Sequence, residues 1–263
     1  MEKIIKTNKR NIIISNNYEN RQRVAFYSPE RYNEKAKPRK NEEQKKIYKN
    51  VRDNGLGSDI FSITGSGIKY HLEGTENDPG LLQIKSPDSK LVIAEICPRS
   101  FDIMLRYVQN LGRNDILLGC GDFYDVITAF YQSGHLTRQL TFLDLDFCAT
   151  PKTLIKETLL LDKFRDLLVN QLVANNFALT ITYSLRGSSI GFNDELFFKI
   201  QQIAKDYKFR IPSKNHYFEA PYCDLNDKGN VRSHMRTIFG TFVKDRYTQQ
   251  FPGYFRHGDS FIL

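Results

Sequence analysis

The sequence predicts an α/β fold: a doubly wound, mostly parallel sheet of seven strands with one reversed strand, carrying a basic N-terminal extension. Three observations predict it. Short apolar runs alternate with stretches in which apolar residues recur at three and four, the pattern of strands and crossover helices. Several of the runs stop on an acid or a glycine, as buried parallel strands do at the edge where such sheets bind ligands. The last two strand-like runs are separated by a polar turn and so predict an antiparallel pair.

The extension stands apart in charge. The chain has 263 residues and a formal net charge of +8. Residues 1–50 hold 14 Lys/Arg against 6 Asp/Glu, and the remaining 213 are balanced at 24 of each. Attraction to a polyanion is therefore a property of the first fifth of the chain. Residues 1–40 read as an arm, with Tyr18, Tyr27 and Tyr32 among the cations and a basic run at Lys35, Lys37, Arg39 and Lys40 broken by Pro38. These four cations are candidate contacts to a phosphate backbone, with the tyrosines available for base stacking. Residues 41–263 read as the folded domain. No apolar run approaches a membrane span, and the amino terminus has no signal-peptide pattern, so the expectation is a soluble intracellular protein. Cys97, Cys120, Cys148 and Cys223 show no metal-ligand spacing and read as buried thiols; no metal is expected.

Asn41 reads as the N-cap of a helix to about Asp53, closed by Gly55. Asp59 to Ile63 is the first strand of the α/β pattern. Thr64-Gly65-Ser66-Gly67 follows as a turn whose glycines let the backbone approach a ligand. Leu91 to Ala94 is the second strand, ending on Glu95 and Ile96; Ser100 reads as the cap of the next helix, with Phe101, Met104, Leu105 and Val108 on its apolar face. An acid at a second strand tip accepts hydrogen bonds from ribose hydroxyls in nucleotide-binding sheets. Asp115 to Leu118 is the third strand, leading through Gly119, Cys120 and Gly121 to Asp122 and Phe123, where the acid is placed to bond an adenine amino group.

Gln139 to Pro151, QLTFLDLDFCATP, is the centre of the pattern. The apolar run Leu140 to Leu143 ends on Asp144 and Asp146, and the chain then passes through Phe147 and Cys148 to a helix start at Pro151. A carboxylate here can hold an exocyclic amine and an aromatic ring can stack on a base, which makes Asp146 and Phe147 candidates for those roles and sets Asp144 nearer a cofactor. The bland reading is that the acids cap helix amides or pair with an arginine. Leu154 to Asn175 reads as one helix, Phe177 to Tyr183 as the fifth strand, and Asp194 to Tyr207 as a helix. Tyr183 at the end of the fifth strand and Arg186 just beyond it are candidate substrate contacts. His216 to Pro221 and Met235 to Lys244 close the sheet.

This order of strand-tip residues resembles the class I, Rossmann-like S-adenosylmethionine-dependent methyltransferases over roughly residues 57–245. The matching positions are Gly65 and Gly67 with Thr64, then Glu95 and Ile96, Asp122 and Phe123, and Asp144 to Pro151. Within that superfamily the fourth motif is most like that of the tRNA guanine-amine dimethyltransferases, although Phe147 and Ala149 stand where those enzymes have proline and glycine. The resemblance implies S-adenosylmethionine as cofactor and methyl transfer to nucleic acid, RNA favoured over DNA, with a base amine as acceptor. It leaves the modified atom open. Two other functions fit the same residues: a methyltransferase-fold subunit that has lost catalysis and binds nucleic acid as a scaffold, and a small-molecule methyltransferase with an incidental basic tail. Attack by Cys148 on a pyrimidine is a third chemistry, set aside because Phe147 replaces the proline that precedes such a cysteine.

Overall fold

The computed structural model describes residues 12–14, 38–64, 68–74, 79–147, 149–185, 190–212, 217–225 and 231–245. The chain divides into two units, one comprising Met1–Lys35 with Gln44–Asp146 and the other Ala36–Glu43 with Phe147–Leu263.

In chain order the first unit contains β1 (Ile12–Ile14), the greater part of α1 (Pro38–Asp53), β2 (Ile60–Ile63), α2 (Ile68–Glu73), α3 (Leu81–Ile84), β3 (Leu91–Glu95), α4 (Pro98–Asn110), β4 (Ile116–Cys120), α5 (Phe123–Gln132) and β5 (Leu140–Asp146). Its strands are all parallel and lie in the order β1-β4-β3-β2-β5. β3 and β4 are buried along their whole length and β2 almost so, which is why they read as continuous apolar runs rather than alternating ones.

α1 starts on Pro38, three residues ahead of the expected cap Asn41 and across the expected boundary at residue 40. Proline's fixed φ and missing N–H suit the first helical position, so the residue that breaks the basic run also begins the helix. The predicted end holds: Gly55 sits at φ +66 and Leu56 N donates to Val51 O at 2.9 Å. α4 likewise starts on Pro98, after Cys97; Ser100, expected as the cap, is buried inside the first turn. Asp122 does cap its helix, its Oδ1 accepting from Tyr124 N at 3.0 Å. Gly119 has a packing reason: a Cβ there would run into both methyl groups of Val126, so α5 lies against β4 closer than any side chain would allow.

The second unit holds α6 (Pro151–Lys156), α7 (Leu160–Val169), β6 (Val173–Ser184), α8 (Ile190–Asp206), β7 (Phe209–Arg210), β8 (Tyr217–Leu225) and β9 (Val231–Lys244). β9 runs antiparallel to β6 on one edge and to β7 and β8 on the other, and is the reversed strand that the sequence called for. The single helix expected over 154–175 is two. Leu159, at φ 52, breaks it, and Thr158 Oγ1 turns back to Leu154 O at 2.6 Å. The second helix then stops at Val169 with Gln171 at φ 54, so Asn175 and Asn176 lie in β6, not at a helix end. The core of this unit is aromatic: Phe177 stacks on Phe242 with centroids 5.1 Å apart and meets Phe209 edge-on at 5.3 Å.

Candidate functional site

In the first unit the chain steps from β2 to β3 to β4 in one direction and then returns to place β5 on the other side of β2. The point where the winding reverses, outside the carboxyl ends of β2 and β5, is where open α/β sheets bind ligands, because the helices diverge there and leave a crevice. Ser62 of β2 is the register partner of Asp144 of β5 across this junction. Alternate residues of a strand share a face, so Ser62 groups with Thr64 and Asp144 with Asp146.

Asp144 is 3% exposed and its charge is held by the protein itself. Tyr48 OH donates to Asp144 Oδ2 at 3.0 Å, and Ser62 Oγ donates to the same oxygen at 3.1 Å. Burial, and then the charge of Asp144, push the Tyr48 phenol well above its usual range, so it remains a neutral donor. Gln44, one turn earlier on α1, donates from Nε2 to Tyr48 OH at 2.8 Å, and the same nitrogen lies 2.6 Å from Nδ1 of His71 on α2. His71, wholly buried, places Nε2 4.0 Å from Asp146 Oδ2, whose side chain is 12% exposed. Two carboxylates two residues apart thus have different settings. Asp144 is sealed beneath a tyrosine and a serine, whereas Asp146 reaches the surface and has a histidine behind it.

Around this pair stand the other strand tips. Thr64, 2% exposed, has a hydroxyl with no hydrogen-bond partner among the described residues. Glu95 ends β3 and is 8% exposed; burial raises its pKa to about 7, against the pull of the Cys97 amide, which donates to Oε1 at 2.7 Å. Ile96 beside it is exposed at 41%. Asp122 stands at the end of β4 as a helix cap, and Phe123 is buried against Phe61 with centroids 6.2 Å apart. Thr64, Glu95, Ile96, Asp122, Phe123, Asp144 and Asp146 therefore all lie at the carboxyl ends of adjacent parallel strands of one unit.

The remaining expected residues lie elsewhere. Phe147 opens the second unit, half-buried, with its amide donating to Thr182 O at 2.8 Å. Tyr183 is fully buried within β6. Arg39 and Lys40 belong to the first turn of α1. Gly65, Gly67, Lys35, Lys37, Cys148 and Arg186 fall outside the described residues. Among the described residues no group of three or more His, Cys, Asp or Glu is arranged to hold a metal ion, and no helix is long and apolar enough to cross a membrane.

Sequence reasoning missed Gln44, Tyr48 and His71. Gln44 and Tyr48 are four apart on one helix and so share a face, a legible pair. His71 carried no signal, because its partners are 23 and 27 residues away in sequence and the five histidines show no ligand spacing.

No protein-family model matches the chain, and no curated relative matches it in sequence. Solved structures do align with it. TYW2 from M. jannaschii, determined in complex with AdoMet, aligns at 9% identity and a TM-score of 0.42, over 77% of this chain and 75% of that one. Trm5b from Pyrococcus abyssi aligns at 11% identity and a TM-score of 0.42, over 77% of this chain and 48% of that one, so the match spans about half of its length. A precorrin-6y C5,15-methyltransferase from Geobacter metallireducens aligns at 9% identity and a TM-score of 0.44, over 77% of this chain and 88% of that one.

Proposed function

We propose that the protein is an S-adenosylmethionine-dependent methyltransferase acting on nucleic acid, RNA in preference to DNA, with a base amine as acceptor. The observation that carries this reading is the row of strand-tip groups Thr64, Glu95, Asp122 and Asp146 around the reversal between β2 and β5, in the order that the sequence resemblance requires. Two features suit a nucleoside-bearing cofactor there: a buried threonine hydroxyl with no hydrogen-bond partner among the described residues, and a buried glutamate that accepts from the Cys97 amide. Glu95 would accept from the ribose hydroxyls, Asp122 would stand by the adenine, and Thr64 would bond the amino-acid end.

The cofactor supplies an electrophilic methyl group on a sulfonium. What the chain must add is alignment and a dry, charge-matched setting, since methyl transfer needs little acid-base help. Asp146 fits the acceptor side: a partly exposed carboxylate can hold an amine by its hydrogens with the nitrogen lone pair turned outward. Asp144 would act from beneath, fixing Tyr48 and the wall behind Asp146. The excess of cations in residues 1–50, among them Arg39 and Lys40 at the start of α1, supports a polyanionic substrate.

Two measurements test the reading. Titration calorimetry with S-adenosylmethionine should show binding in the micromolar range. Incubation with bulk cellular RNA and labelled cofactor should give methylated nucleoside, with Asp146→Ala lowering incorporation about 100-fold. Absence of cofactor binding, or full transfer by the Asp146→Ala protein, would refute it.

A further inference from the structure

We propose that His71 is a positioning residue for Asp146, its tautomer set by Gln44, which the Tyr48–Asp144 hydrogen bond orients in turn. The inference rests on the reading of Asp146 given above and adds to it a group that does not touch substrate. It is carried by four contacts. Gln44 Nε2, an amide nitrogen that can only donate, lies 2.6 Å from His71 Nδ1. With Gln44 so oriented, Nδ1 of a neutral ring accepts from it and the ring proton lies on Nε2; Tyr48 OH, 3.2 Å from Nδ1, donates its own proton to Asp144. Nε2 is the atom that faces Asp146, 4.0 Å from Oδ2. The other two close the chain from behind. Tyr48 donates its one proton to Asp144 and receives Gln44 Nε2, so Gln44 is oriented with its nitrogen toward both the phenol and the imidazole.

The layout runs from a sealed carboxylate to a partly exposed one: Asp144, Tyr48, Gln44, His71, Asp146. Each link restricts the next, and all five are placed by α1, α2 and β5 within one unit. At 4.0 Å the last link is an electrostatic contact rather than a hydrogen bond, and substrate should tighten it. Open sites commonly hold their catalytic contacts long in this way and tighten them with substrate bound. A purely architectural histidine is the competing account, since the ring also meets Tyr70 edge-on with centroids 6.0 Å apart.

The two accounts differ in what they ask of Nε2–H. His71→Gln keeps an amide N–H close to the place of Nε2, while His71→Leu fills the space and keeps none. With bulk cellular RNA and tritiated S-adenosylmethionine, His71→Leu should lower the rate of incorporation by up to about 100-fold and His71→Gln should restore most of it. Cofactor affinity should stay within about twofold in both, as expected for an effect on alignment rather than on uniform binding. In the wild-type chain labelled with 15N-histidine, nuclear magnetic resonance should show a protonated Nε2 and an unprotonated Nδ1 at His71, and Asp146→Asn should move the Nε2 resonance. An Nδ1–H tautomer, an Nε2 resonance indifferent to Asp146→Asn, or equal transfer by His71→Leu and wild type would overturn the inference while leaving the methyltransferase reading standing. Failure of the wild type to bind the cofactor or transfer label would overturn both.

Discussion

Glu95 makes the cofactor proposal testable through pH. Its carboxyl is pushed from 4.5 to about 7, first by burial, with the Cys97 and Ile96 amides pulling the other way. The sign follows from which form the fold prefers. The folded protein binds the proton more tightly than the unfolded chain, so Glu95 favours folding fully below about pH 4.5, and that contribution is lost as pH rises to about 7. At 1.36 kcal/mol per pH unit the interval amounts to about 3 kcal/mol, an order-of-magnitude figure for a group that is nearly dry. Ribose hydroxyls reverse the preference, because they donate to the carboxylate and find a poorer acceptor in the acid. Affinity for S-adenosylmethionine should therefore rise with pH, about tenfold between pH 6 and pH 8, and level off above that. Calorimetric titrations at pH 6, 7 and 8 measure the profile. Glu95→Gln should bind more weakly and with the slope removed, while gaining stability at pH 8. An affinity that is flat from pH 6 to pH 8, or a slope that survives in Glu95→Gln, would refute the reasoning.

Two further predictions concern the frame behind the site. Tyr48→Phe removes a donor to the buried Asp144 and the acceptor of Gln44, and should cost about 2 kcal/mol, seen as a Tm lowered by about 3–6 °C in calorimetry; an unchanged Tm would show that Asp144 does not depend on the phenol. Gly119→Ala drives a methyl into Val126 and should cost about 1–3 kcal/mol in denaturant unfolding, with Val126→Ala in the same chain recovering part of the loss. Additive losses in the double variant would place the strain elsewhere.

The strands of the first unit were legible because a parallel strand covered on both faces must be apolar throughout, and the sequence shows this at Leu91 to Ala94 and Ile116 to Leu118. The acids at the strand tips were legible for the complementary reason: a charge can follow such a run only where the sheet ends. Helix limits were less so. Asn41 and Ser100 read as caps, yet the helices begin earlier, on Pro38 and Pro98, since a missing N–H costs nothing in a first turn. The break at Leu159 left no mark, because a leucine at positive φ is set by the packing of α6 and α7 and not by any preference of its own.

The sequence by itself determined the alternation of elements, the reversed strand, the location of the basic charge and the acids that end β3, β4 and β5. Only the tertiary structure decided what surrounds Asp144 and Asp146, one sealed by Tyr48 and Ser62 and the other backed by His71. Periodicity records which face of an element is buried, a local property. It does not record which side chain of a distant element arrives at that face, and the chemistry of a buried carboxylate depends on that arrival.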